Sequence, residues 1–479
     1  MKINIRTYLS ILLIVALLFS FYLQTDFGAL VAFYLIIFLG FRTIFIKRHF
    51  YYLSYFIIFL SFLFAYFIRA FILIPHPDLY TYPWIEKFSL HDERISKALW
   101  EILFYFILVS FGFLLAVKLR VIKKNNTSKT RGSAKGFFAP GWPIKYFSSI
   151  SILMGILVAL KLLVFFITGA GMKAVHSSTS LAFLLRFIPD DLIFIIVVIY
   201  FVRYRTYLSP FRKRILYVLG TFMSLSILLT GSKIFLMLLG LCVFIVYVYE
   251  GRRLYLSKLI LFSIVGVVII AVSFTVSAVV KYKKPQTIGA LIDDVITQIG
   301  SVDGIFIVDQ ITQRFIGLDG YLAAKHIVRS PRSSVTLHLQ EAFSVKNILS
   351  EIIERTIPFF NVTNSMDSGK AVSVYVNGLP EDYANASALG LFGAFEFILT
   401  RMVWLLSLFY GWLIGKLYVW CYRIKDADLR LIIFYFISYF VISSFMSGNM
   451  GFLLSLLIIK VILLFVYLRI ISFIRKLTY

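Results

Sequence analysis

Cysteine is almost missing from this 479-residue chain, which holds only Cys242 and Cys421. Both lie in or at the ends of apolar runs, with no histidine or second cysteine at ligand spacing. A disulfide framework and a zinc site are therefore unsupported. Charge is scarce as well: charged residues make up 15% of the chain, against 60% hydrophobic, and mean hydropathy is +0.90. A single soluble core could not bury that much apolar surface, so lipid must be the solvent for most of the chain. Glycine patterns of the Walker or dinucleotide kind are missing, and no repeat of about 20–50 residues is visible, so neither a phosphate-cradling loop nor a solenoid is expected.

What the chain does have is aromatic bulk and positive charge. Fifty Phe and 29 Tyr provide wide apolar packing and interfacial anchoring. The net charge of +25 would suggest nucleic acid on a soluble protein. Here the Lys and Arg cluster in short loops between apolar runs, where they orient helices against an anionic leaflet, and nucleic acid is rejected as a partner.

A membrane crossing takes roughly 20 apolar residues. Spans are expected near Thr7–Leu23, Gly28–Ile46, Tyr51–Ile74, Leu99–Val117, Phe147–Ile167, Asp191–Val202, Ile215–Thr230, Ile234–Tyr249, Leu259–Val280, Leu391–Tyr418, Leu429–Phe445 and Phe452–Ile471. The first follows Lys2 and Arg6 but no small-x-small cleavage site, so it reads as a membrane helix and not as a signal peptide. The fold class expected is an all-α polytopic membrane protein of about twelve transmembrane helices.

Charge placement tests that count independently. Lys47 and Arg48, the run from Lys118 to Lys135, Arg203 to Arg214, Arg252 to Lys258, Arg423 with Lys425, and Arg469 to Lys476 all fall in alternate loops or at the C-terminus. Both termini are then cytoplasmic. Residues 1–280 carry nine helices, 281–387 form one large extracytoplasmic loop, and 388–479 carry the last three helices. Within the loop, Ile292–Val295–Ile296–Ile299 and Ile348–Ile352–Ile353 recur at helical spacing, predicting amphipathic helices that lie over the membrane surface. Pro331, Pro358 and Pro380, with Gly317, Gly320, Gly369 and Gly378, divide it into short elements.

An ionisable group inside a bilayer costs several kcal/mol unless it is paired or lines a wet cavity, so each is a candidate for function. Arg69, Lys161, Lys233 and Arg401 qualify. Lys161 has a plain alternative in snorkelling, and Glu396 with Arg401 in ion pairs to neighbouring spans. In Thr230-Gly231-Ser232-Lys233, a glycine turn opens a helix beside a cation, an arrangement able to hold an anion or simply to close a helical hairpin. The loop adds Arg314, Asp319, Lys325, His326, Arg329, Arg332, His338, Glu341, Glu351, Glu354 and Arg355. Its stretch from Gln313 to Tyr321 sets a base, an acid and an aromatic ring around two glycine breaks, as on a loop contacting sugar or phosphate. Pro331 separates His326 from His338, which weakens any paired-histidine metal site.

The layout, the Thr-Gly-Ser-basic turn and the Asn-x-x-x-x-Gly-x-x-Gly stretch formed by Asn385, Gly390 and Gly393 resemble bacterial O-antigen polymerases of the Wzy type. The resemblance covers most of the chain. It implies a cofactor-free and metal-free glycosyltransferase of the inner (cytoplasmic) membrane, acting at its outer face on undecaprenyl-diphosphate-linked oligosaccharides. A growing glycan would leave the carrier and join a new lipid-linked repeat unit, making O-antigen or capsule. On that reading Arg314, Lys233, Arg401, Arg329 and Arg69 bind the lipid diphosphate, and Asp319, His338 or Glu341 is the catalytic base. Membrane lipids, a chain-length regulator and a flippase are the implied partners. An O-antigen ligase or other lipid-linked glycosyltransferase is the alternative. A lipid-linked oligosaccharide flippase is a further one, disfavoured because the two halves of the chain are unlike.

Overall fold

The computed structural model describes residues 2–3, 30–31, 33–40, 49–73, 92–125, 142–168, 190–229, 240, 242–247, 249, 254–255, 293–294, 296–297, 317–329, 334–357, 368–376 and 389–478. Among them the fold is helical, apart from a two-residue antiparallel ladder in which Lys2–Ile3 (β1) pairs with Leu254–Tyr255 (β2). Five helical stretches among the described residues are long and apolar enough to cross a membrane: Phe50–Phe67, Arg94–Val117, Val403–Tyr422, Ala427–Ser447 and Met450–Phe473. The chain is a helical membrane protein. The spans expected at Thr7–Leu23 and Leu259–Val280 lie outside the described residues, and those at Gly28–Ile46 and Ile234–Tyr249 fall only partly within them.

The first described span is α1 (His49–Phe62), which runs through a π-helical turn (Leu63–Ile68) into α2 (Arg69–Leu73). A π-turn carries an extra residue and re-aims the side chains after it, here the basic Arg69. Next come α3 (Asp92–Asn125), α4 (Phe147–Thr168), α5 (Asp190–Arg203) and α6 (Pro210–Leu229). The loop region holds α7 (Gly317–Arg329), α8 (Ser334–Ala342), α9 (Val345–Thr356) and α10 (Ser368–Tyr375). The chain ends with α11 (Gly390–Ile398), α12 (Val403–Tyr422), α13 (Ala427–Ser447) and α14 (Met450–Thr478).

Small residues fix how these helices cross, because lipid tails are as apolar as Leu and helices in a membrane associate by close packing and shared hydrogen bonds. Gly411 and Gly415 on α12 meet Gly112 and Ala116 on α3. A Cβ on Gly112 would strike the Leu408 carbonyl oxygen, and one on Gly411 the Val109 carbonyl oxygen. A second seam joins α7 to α11. There a Cβ on Gly320 would enter the Leu389 backbone, and one on Gly393 would press on the Gly320 carbonyl. Buried hydroxyls bridge other helix pairs: Tyr55 to Ser110 at 3.1 Å ties α1 to α3, while Tyr418 to Ser438 at 3.0 Å and Tyr410 to Ser444 tie α12 to α13. The Tyr34 ring lies against Phe59 and Phe67, with centroids at 4.6 and 4.8 Å, while its hydroxyl donates to the Phe59 carbonyl at 2.6 Å.

Two expectations are corrected. The tenth span is not one helix: α11 stops at Ile398, Leu399 turns to φ −149 and ψ 77, and α12 starts at Val403. No glycine or proline breaks it. The two halves follow different glycine seams, α11 along α7 and α12 along α3. The second correction concerns the loop. Gln313–Tyr321 is not a loop throughout, since α7 begins at Gly317, and its glycines are contact points and not breaks. Nor does α7 lie over a surface, because Gly317 to Ala324 are all buried. At the base of this arrangement Gly390 (φ +69) and Gly448 (φ +71) adopt the left-handed conformation that glycine permits, and they abut each other. Gly448 ends α13 by donating to the Ser444 carbonyl at 3.0 Å, and Leu389 donates to Ser447 at 3.2 Å.

Gly411→Val is expected to destabilise the protein by about 1–3 kcal/mol or more, because the added atoms meet backbone and not a movable side chain. Gly155→Ala, whose Cβ would sit 4.0 Å from Leu219, should be neutral. Thermal unfolding of the two variants in detergent checks this. Equal midpoints would mean that the α3–α12 seam is not tight.

Candidate functional site

The ion pair at the start of α7 organises the site. Arg69 and Asp319 are both 0% exposed. The guanidinium donates from Nε to both carboxylate oxygens at 3.1 Å and from Nη2 to Oδ2 at 2.8 Å. Asp319 also lies in the first helical turn of α7, where the helix dipole favours a carboxylate. Beside this pair the Tyr66 hydroxyl accepts from the Phe392 N–H at 3.2 Å, satisfying one of the donors that the start of α11 leaves open.

From that anchor α7 runs antiparallel to the first turns of α3. On α7, Tyr321, Lys325 and Arg329 recur every four residues and share a face; on α3, Tyr105, Glu101 and Lys97 do the same. The two faces meet as a ladder. Its inner rung is Tyr105 against Tyr321, with ring centroids 6.3 Å apart. In the middle rung Glu101 Oε2 accepts from the Tyr321 hydroxyl at 2.8 Å and from the Lys325 ammonium. The same register brings Lys97 and Arg329, both exposed, to the open rung, within electrostatic reach of Lys325. From the side, the buried Glu396 of α11 faces Tyr321, Lys325 and Arg329.

The chemistry of the ladder changes along its length. Burial pushes the Tyr321 hydroxyl well above the ordinary phenol range, so it is a neutral donor at physiological pH. Burial, the charge of Arg329 and that of Lys97 push the Lys325 ammonium down to about 8, against the pull of Glu396. The cluster thus offers two carboxylates, a phenol donor and a lysine poised near neutrality, next to an open pair of cations. That set can bind an anion and accept a proton. Among the described residues no group of three His, Cys, Asp or Glu could hold a metal ion.

The expected site residues are dispersed. Arg69 and Asp319 hold each other, and Arg329 joins the ladder. His338 and Glu341 are exposed on α8, where the His338 ring stacks on Tyr375 at 4.7 Å and 7°. Arg401 is exposed in the break between α11 and α12, while Glu396, expected near it, faces α7. Arg314 and the Thr230–Lys233 turn lie outside the described residues, as does the side chain of Lys161.

Lys97 escapes sequence reasoning because it flanks the expected span Leu99–Val117, where charges are ordinary; Glu101, just inside that span, is a signal that went unused. Lys460 escapes it too, although a lysine inside the apolar run of α14 is itself a signal. It is buried, with Nζ 3.8 Å from the centre of the Tyr439 ring. A second polar cluster, at the other end of the bundle, ties α5 to α13. There Arg203 Nη1 and the Tyr204 hydroxyl reach the two oxygens of Asp428 at 2.7 and 2.8 Å. No family model, curated protein or solved structure matches the chain.

Removing one partner of the buried pair leaves an uncompensated charge, a loss of about 3–5 kcal/mol. Arg69→Met alone is expected to abolish stable expression, and Arg69→Met with Asp319→Leu to recover much of it. Detergent-solubilised yield and unfolding midpoint measure both; a double variant as poor as the single one would show that the pair does more than hold α7.

Proposed function

We propose that the chain is a glycosyltransferase that polymerises undecaprenyl-diphosphate-linked repeat units at the outer face of the cytoplasmic membrane. The observation that supports this reading best is the α3–α7–α11 ladder, in which two carboxylates stand beside an open rung of cations at one end of a membrane bundle. Its parts match the two demands of the reaction. An acceptor hydroxyl attacks the anomeric carbon of the donor glycan, its proton passing to a carboxylate. The bond from that carbon to the carrier's diphosphate breaks, and the leaving diphosphate takes the electron pair. Glu396 is the base in this scheme, buried beside the cations but facing them. Lys97, Lys325 and Arg329 meet the charge on the diphosphate without a metal. Arg314 and Lys233 retain their expected role as further diphosphate ligands, and Arg69 with Asp319 positions α7.

The full topology belongs to the same proposal: about twelve spans, both termini cytoplasmic, residues 281–387 outside. It is supported by the gathering of α7, α9 and α11 at one end of the bundle. The end of α5 and the turn before α13, which carry Arg203, Arg205, Arg423 and Lys425, lie at the other.

Deletion of the gene should collapse the surface polysaccharide ladder to a single repeat unit on a gel. Glu396→Gln should reproduce that collapse at normal protein level, whereas a full ladder from Glu396→Gln would overturn the assignment. Polymer that forms but stays on the carrier would indicate the ligase, and lipid-linked units trapped on the cytoplasmic face the transporter. In nanodiscs supplied with lipid-linked repeat units, turnover should fall as pH rises through about 8, to roughly a tenth by pH 9, as the Lys325 ammonium loses its proton. Lys325→Arg, which stays cationic, should hold its rate across that range. A wild-type profile flat to pH 9 would remove Lys325 from the anion site.

A further inference from the structure

Helix α9 is built inside out. Its three buried residues, Asn347, Ser350 and Glu351, are all polar. Ile348 and Ile352 are half-buried, and its remaining large apolar residues point outward: Val345 is 62% exposed, Leu349 54%, Ile353 38%, and Ile357 just past its end 49%. These four recur every four residues and form one stripe along the helix. A helix bathed in water buries the opposite face, because burying polar groups costs free energy and exposing apolar area forgoes it.

The inward polar face carries several hydrogen bonds. Asn347 Nδ2 donates to the Ala342 carbonyl at 2.8 Å, and Ser344 caps the helix by accepting from the Asn347 N–H at 3.2 Å. Glu351 pairs with Arg355 at 3.0 Å and packs on Gly451 at the start of α14. The Arg355 guanidinium lies 4.8 Å from the centre of the Phe452 ring. Phe452 and, two turns on, Ile458 are themselves exposed on a helix long and apolar enough to span the membrane. The outward stripe of α9 thus lies beside an exposed apolar face of a helix long and apolar enough to cross a membrane.

We propose that α9 lies within the outer boundary of the bilayer, with Val345, Leu349, Ile353 and Ile357 against acyl chains. Part of the region between the ninth and tenth spans is then membrane-embedded and not exposed to solution. The apolar face of such a helix sinks about 5–10 Å below the headgroups. Lys346, exposed on the same side in the first turn, lays its stem along the apolar surface and carries its ammonium to the headgroups.

The test uses the full chain with Cys242 and Cys421 replaced by Ala, in nanodiscs of phosphatidylethanolamine and phosphatidylglycerol. Nitroxides are placed by Leu349→Cys and Ile353→Cys. Ile458→Cys gives the lipid reference, and Lys425→Cys, in the exposed turn before α13, the water reference. Collision with oxygen and with a water-soluble nickel chelate then reports the surroundings of each label. Both α9 labels are expected to give oxygen-to-nickel ratios near that of Ile458 and several-fold above that of Lys425. A ratio matching Lys425 puts α9 in water, and protection from both reagents means that a protein, such as a second copy, covers the stripe; either result overturns the proposal. If a label at Leu349 unfolds the chain, Val345→Cys reads the same stripe at its most exposed position.

Discussion

The contact between Arg69 and Asp319 joins two segments 250 residues apart at a point fully removed from solvent. A buried charge that loses such a partner is costly, so the region as seen depends on this pair forming. That condition fixes where α7 starts. Once α7 starts there, helical periodicity sends Tyr321, Lys325 and Arg329 along one face at successive turns. The positions of Glu101 and Lys97 opposite them follow from the register of α3. The polar ladder is thus a consequence of a single deep anchor and two straight helices.

The glycine seams supply the other half of the constraint. An ion pair fixes a point, but a helix needs a line of contact to fix its direction. Gly317 and Gly320 against Gly390 and Gly393 provide that line for α7 and α11, while Gly112 and Ala116 against Gly411 and Gly415 provide it for α3 and α12. These two directions are not shared by one straight helix. The break at Leu399–Met402 accommodates them, and it leaves Glu396 on a short segment whose orientation is set by α7 and not by the long span that follows.

Much of the fold was readable because membrane spans are encoded locally, by unbroken apolar length. The expected Leu429–Phe445 and Phe452–Ile471 are within two residues at each end of the apolar stretches observed, Ala427–Ser447 and Met450–Phe473. The break in the tenth span was not readable, since Leu399-Thr400-Arg401-Met402 holds no helix breaker and its cause lies in two distant partners. Single charges could be flagged by their apolar surroundings, as Arg69 was. Their pairing could not, because nothing local to Arg69 points to Asp319, and the same gap assigned the two to separate tasks. Conversely the spacing Gly411-x-x-x-Gly415 and Gly112-x-x-x-Ala116 was in plain view. It is a packing signal of membrane helices whose partner only the fold identifies.

The order of groups along the ladder has its own logic. Phenols occupy the deepest rung, where an uncompensated charge would be most costly; a charged pair occupies the middle; and two like charges occupy the rung open to water, where screening makes their mutual repulsion bearable. Like charges held on two rigid helices cannot relax away from each other; Glu396 offsets them from the side, and on the function proposed above an anion taken up at the open rung would relieve the remainder. A lipid-borne anion arrives along the membrane surface and not from solution. The inverted face of α9, at the same end of the bundle, extends the lipid-facing surface there. A substrate whose tail stays in the bilayer can then present its charged head to the ladder without leaving the membrane, which a site surrounded by water on all sides would not allow.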